Sequence, residues 1–137
     1  MLERLAQLEQ NVEALDSFKR EHGVEEVTET LTLQWTLRYG LIESIQIVID
    51  TACHACSTHN LVTPKNYGDC IRFLVRFGYL DQALGTSILS MIGLRNLLIH
   101  EYGTIDGKKL YSFLDELDLF RTYARSIKGA LGGVRGR

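Results

Sequence analysis

Leu2-Glu3-Arg4-Leu5-Ala6-Gln7-Leu8-Glu9-Gln10-Asn11-Val12-Glu13-Ala14-Leu15-Asp16-Ser17-Phe18 sets its large apolar residues at steps of three and four. Steps of that length return a side chain to one face of an α-helix, so the stretch predicts an amphipathic helix that stops near Gly23. Outward from it, a second and longer helix is expected from about Glu25 to Thr58. Its apolar set includes Leu31, Trp35, Ile42, Ile45, Ile49, Ala52 and Cys56, and Gly40 marks a bend or a close approach. Asn60 to Asn66, which holds the single proline Pro64, reads as a loop.

Asn66 is suited to cap a third helix, Tyr67 to Phe77, closed by Gly78. Asp81 caps a fourth that reaches about Tyr102, with Gly103 as its stop, and Asp106-Gly107 reads as a turn. A fifth helix from about Lys109 to Lys128 carries Leu110, Phe113, Leu114, Leu117, Phe120 and Tyr123 at helical spacing. Neither a useful period-two alternation nor an internal repeat is present. The pattern therefore predicts an all-α, up-and-down helical bundle of about five helices. One domain is expected over residues 1–128, followed by a flexible Gly/Arg tail over residues 129–137.

The 137 residues suffice for one domain with its own core, and 45% hydrophobic with 23% charged residues fits an ordinary globular chain. The formal net charge of -2 gives no global attraction to nucleic acid, so RNA binding would need a local basic cluster. Lys108, Lys109, Arg121, Arg125, Lys128, Arg135 and Arg137 make the C-terminal part the most basic. They read either as RNA electrostatics or as a solvated helix face with a loose end.

Met1–Gln10 alternates charge with leucine, unlike an export signal, and the apolar stretches look far shorter than the roughly 20 residues that span a bilayer. Cys53, Cys56 and Cys70 are odd in number, so free thiols in a reducing compartment are expected. Cys53-His54-Ala55-Cys56 with His59 nearby suggests zinc, but these residues sit within a helix and drift around it, which favours small core residues and no metal. The chain reads as cytoplasmic, with no membrane association and no cofactor.

Chemistry concentrates in Arg95-Asn96-Leu97-Leu98-Ile99-His100-Glu101-Tyr102. At about 100° per residue, Arg95 and Tyr102 fall near one line of the helix and Asn96 and His100 near an adjacent one. Histidine as a residue type can take a proton from a ribose 2′-hydroxyl, and arginine can grip a phosphate in two places. Arg95 and His100, however, point about 140° apart, so one chain would clamp a phosphate poorly. Two copies about a twofold axis would surround a shared cleft, and a homodimer is expected. On spacing alone, an Arg and a His near a helix end read as surface or capping residues, since cations favour helix C-termini. Asp50 and His54, one turn apart, can share a hydrogen bond; they read as supporting a cleft or as a structural pair.

The segment Arg95-x4-His100-x-Tyr102 resembles the signature of HEPN domains and, with its terminal tyrosine, of HepT toxins. Ile49-Asp50 with His54, Pro64 and Tyr67, then Phe73-Leu74, Phe77-Gly78 and Asp81, are similar to the HepT family's second and third helices. The likeness runs from about Leu31 to Lys128. It implies a dimeric HEPN-like bundle acting as a metal-independent RNA endonuclease, the toxin of a HEPN/MNT toxin–antitoxin system, with tRNA as the expected target. His100 would be the acid/base, Arg95 the phosphate-binding group and Asn96 a positioning residue. The implied partner is an MntA-like minimal nucleotidyltransferase that silences the toxin by transferring AMP onto Tyr102. Taken without the resemblance, Tyr102 reads as a packed aromatic. A different class of function remains open at this point: a non-catalytic HEPN module that binds nucleotide or docks the nucleotidyltransferase. So does a helical dimerisation protein without a ligand.

Overall fold

The computed structural model describes residues 1–58, 65–100 and 106–135, the side chains of 131–135 excepted. The described residues form α-helices and one 3-10 turn, with no strand among them. In order these are α1 (Leu2–Glu21), α2 (Val24–Glu29), α3 (Leu31–Thr58), α4 (Tyr67–Arg76), α5 (Gln82–His100), α6 (Gly107–Ser112), a 3-10 turn (Phe113–Glu116) and α7 (Leu117–Arg135).

The expected amphipathic face of α1 is the buried one: Leu5, Leu8, Val12, Leu15 and Phe18 point into the core. The expected second helix is two. Thr30 leaves the helical region at φ -121° and ψ 106°, and the Gln34 amide donates to the carbonyls of Val27 and Thr28 at the end of α2. The expected fifth helix also divides, at the Phe113–Glu116 turn, and Asp106 caps α6 through the Lys108 N–H. α7 continues through Arg135, so the segment expected to be a loose tail has a helical backbone to that residue. No proline interrupts it, and each glycine costs a helix only about 1 kcal/mol.

Caps fall where the sequence put them. Asn66 Oδ1 accepts the Asp69 N–H at 2.9 Å, Asp81 Oδ1 accepts the Leu84 N–H at 2.7 Å, and Gly78 closes α4 at φ 85°. Gly40 is a close approach: a Cβ there would lie 2.8 Å from Leu15 Cδ2.

α3 is the axis of the bundle and packs on α1, α2, α4, α5, α6 and α7. From Ser44 to Cys56 it is buried on several sides by Ile45, Ile47, Val48, Ile49, Ala52 and Ala55. Leu31 and Trp35, expected among its apolar core residues, are each 57% exposed, on a side of α3 away from the buried Leu37 and Leu41. By length and mean hydropathy α5 passes as a membrane-crossing helix, which narrows the expectation that no stretch approaches that length. In the bundle it packs on α3, α4 and α7.

Tyr123 of α7 is fully buried, with its hydroxyl 2.7 Å from Thr51 Oγ1 and 3.1 Å from the Val48 carbonyl. Burial pushes the phenol well above its usual pKa, against the opposing pull of the Thr51 hydrogen bond. Tyr123→Phe is therefore expected to cost about 1–2 kcal/mol in urea unfolding, because it removes those bonds without changing the packed ring.

Cys53 and Cys70 are joined as a disulfide with Cα atoms 5.1 Å apart, which corrects the expectation of three free thiols. Counting cysteines could not reveal that the end of α3 and the start of α4 face each other. Cys56 alone is free; it is buried, and that burial raises its thiol pKa. The bridge closes a segment with a sequence separation of 17. A reductant should lower stability by about 3 kcal/mol, seen as a fall of roughly 10 °C in Tm, and Cys53→Ser should reproduce that fall without reductant.

Candidate active site

Helix periodicity puts one polar stripe on the otherwise buried half of α3. Gln46, Asp50 and His54 recur every four residues, the first half-buried and the other two exposed. The C-terminal half of α5 lies beside that stripe. Arg95 Nε donates to Gln46 Oε1 at 2.6 Å, and Arg95 Nη1 donates to Asn96 Oδ1 at 3.1 Å. Across from them, the Tyr67 ring at the start of α4 faces the guanidinium, with Arg95 Cζ 6.0 Å from its centroid. That is the outer range of a cation–π contact.

Behind Gln46 the bonding continues. Gln46 Nε2 donates to Asp50 Oδ1 at 2.8 Å, and Arg4 Nη2 of α1 donates to Asp50 Oδ2 at 2.9 Å. Arg4 also holds Gln7, whose amide donates to Glu43 back on α3. The Arg95 guanidinium is thus oriented by neutral amides on two sides, while the Asp50 charge is taken up by Arg4.

The residues singled out from the sequence divide as follows. Arg95, Asn96 and Asp50 belong to this one network. His100 is exposed and lies five positions beyond Arg95, about 7.5 Å further along α5 and turned from it by about 140°. His54 is exposed one turn beyond Asp50, and no Asp50–His54 bond forms among the described residues; the Asp50 oxygens bond Gln46 and Arg4. Tyr102, His59 and Pro64 lie outside the described residues. Among the described residues no group of three potential metal ligands comes together.

Gln46 and Arg4 were not singled out from the sequence. The four-residue spacing Gln46-x3-Asp50-x3-His54 was a signal for the first. Nothing distinguishes Arg4 from the other polar residues of α1 until α1 and α3 are packed together. The basic C-terminal residues are partly spent: Arg121 is ion-paired with Asp16, Glu13 and Asp118, and Lys128 with Glu9. They tie α7 to α1, and neighbouring carboxylates hold the Arg121 pKa above its usual value.

A family model described as Ribonuclease HepT-like matches residues 8–127. The chain belongs to the HepT-like ribonuclease family. Solved structures agree with it in fold. One is a tri-AMPylated Shewanella oneidensis HEPN toxin in complex with its MNT antitoxin. It is 20% identical, with 93% of this chain and 96% of that one covered at a TM-score of 0.85. Another is a toxin–antitoxin with AMP-PNP, 19% identical over 92% and 95% of the two chains, at a TM-score of 0.82. A third is YutE of Bacillus subtilis, a cytosolic protein of unknown function. It is 17% identical over 98% and 90% of the chains, at a TM-score of 0.84. No curated protein matches the sequence.

Proposed function

We propose that this chain is the toxin of a toxin–antitoxin pair, a cytoplasmic RNA endonuclease that works without metal and has tRNA as its target. The observation that carries the reading is the Arg95 guanidinium, held by Gln46 and Asn96 on the helix end that exposes His100. His100 takes the proton of a ribose 2′-hydroxyl as that oxygen attacks phosphorus. Arg95 stabilises the added negative charge of the pentacoordinate phosphorane. The bond to the 5′-oxygen breaks, the leaving oxygen receives a proton, and a 2′,3′-cyclic phosphate remains.

Two copies about a twofold axis complete the site, because the two groups leave one helix in different directions. His54 and Asp50 line its edge. Sedimentation of the active protein as a monomer would contradict this arrangement.

Silencing follows the example of the Shewanella oneidensis toxin, which is AMPylated and bound to an MNT antitoxin. A minimal nucleotidyltransferase partner joins the Tyr102 oxygen to the α-phosphorus of ATP and releases pyrophosphate. The added phosphate repels RNA and competes for Arg95.

The test is incubation of unmodified protein with bulk tRNA in EDTA, with the product ends mapped. New ends carrying 2′,3′-cyclic phosphate support the reading, and intact tRNA contradicts it. A second reading, a module that binds nucleotide or its partner without cleaving, draws on the ion pairing of Arg121 and Lys128, which leaves less free positive charge for RNA.

A further inference from the structure

We infer that Gln46 is a positioning residue for Arg95, with Asp50 and Arg4 behind it as its anchor, an inference that rests on the ribonuclease reading above. The geometry runs through three helices. Arg95 Nε of α5 donates to Gln46 Oε1 of α3 at 2.6 Å, Gln46 Nε2 donates to Asp50 Oδ1 at 2.8 Å, and Arg4 of α1 holds the other Asp50 oxygen at 2.9 Å. An amide has one acceptor end and one donor end. Because Asp50 engages the donor end, the oxygen of Gln46 must face Arg95, and the amide cannot flip without breaking both bonds.

The neutrality of that contact matters for phosphate chemistry. A carboxylate on Arg95 would orient it equally well but cancel the charge a phosphate needs. Gln46 instead fixes the Nε edge and leaves the guanidinium charge intact. Asn96 takes one Nη1 hydrogen, and Nη2 has no bond to a described residue. The negative charge that anchors the amide sits one residue further away, already paired with Arg4. The relay thus orients a cation without neutralising it.

Two readouts on the full-length protein test this. The first is solvent exchange of the Arg95 Nε–H by NMR, with the resonance assigned from Arg95→Lys. Gln46→Ala should speed that exchange about tenfold, as expected on losing one charge-assisted hydrogen bond. The second is tRNA cleavage in EDTA. Gln46→Ala should lower kcat ten- to a hundredfold with KM changed less than about threefold, since orientation is lost but charge is kept. Gln46→Glu, which sets a carboxylate beside Asp50 in place of the amide donor, should raise KM at least tenfold and reduce the salt slope of RNA binding by about one, because the added charge offsets that of Arg95.

A merely structural role would lower Tm in both variants and move neither the KM-against-kcat split nor the salt slope. Unchanged Nε–H exchange in Gln46→Ala overturns the inference, and so does faster exchange with full activity. If the parent cleaves no RNA, the ribonuclease reading fails, and the exchange measurement alone decides whether Gln46 holds Arg95.

Discussion

His100→Ala is expected to lower the rate of tRNA cleavage by about a thousandfold while leaving the fold intact. A positioned acid/base contributes about a hundred- to ten-thousandfold, and in the proposed mechanism one imidazole serves both proton transfers. His100 is exposed at the end of α5, so its removal creates no cavity and should change unfolding free energy by less than about 0.5 kcal/mol. Arg95→Ala should cost on the order of a hundred- to a thousandfold, the usual loss of one charge-stabilising donor. Arg95→Lys should restore little, because an ammonium lacks the Nε that Gln46 holds and the fork that fits phosphate. Activity is read under single turnover, with circular dichroism checking that each variant is folded.

Gly85→Val is expected to destabilise the protein by about 3 kcal/mol, at the upper end for overpacking. Gly85 is buried where α5 meets α4, and a Cβ there would lie 2.4 Å from Val75 Cγ2 and 3.9 Å from Ile71 Cγ2. Val75 is β-branched and stiff, so relief must come from moving one helix off the other. The same movement carries Tyr67, at the start of α4, away from Arg95. Cleavage should therefore fall further than the loss of folded protein explains. Denaturant titration gives the first quantity and activity per folded molecule the second. An unfolding free energy within about 1 kcal/mol of the parent's would mean that the α4–α5 contact tolerates bulk.

Much of this was legible in the sequence because it depends on local spacing. The apolar steps of α1 and the caps at Asn66, Asp81 and Gly78 fall where periodicity and capping chemistry put them. Breaks within helices were not legible. Thr30, where the chain leaves the helical region, and Phe113, where it tightens into a 3-10 turn, carry no proline or glycine signal. Trp35 shows the limit of pattern reading: its spacing fits a helical face, but the face that α2 and α1 cover is the one that carries Leu37 and Leu41, and Trp35 is 57% exposed.

The same division holds for the site. Arg95, Asn96 and His100 lie on one helix and can be read from six consecutive letters. Gln46 and Arg4, and the pairing of Cys53 with Cys70, depend on which helices touch, and no local spacing encodes that.

The central claim is that Arg95 and His100 together cut RNA without metal. It is tested most directly by incubating bulk tRNA in EDTA with unmodified parent protein, His100→Ala and Arg95→Ala at equal folded concentration. The account predicts cleavage by the parent and none detectable from either variant over the same interval. Intact tRNA with a parent verified to carry no AMP, or cleavage that survives both substitutions, would contradict it.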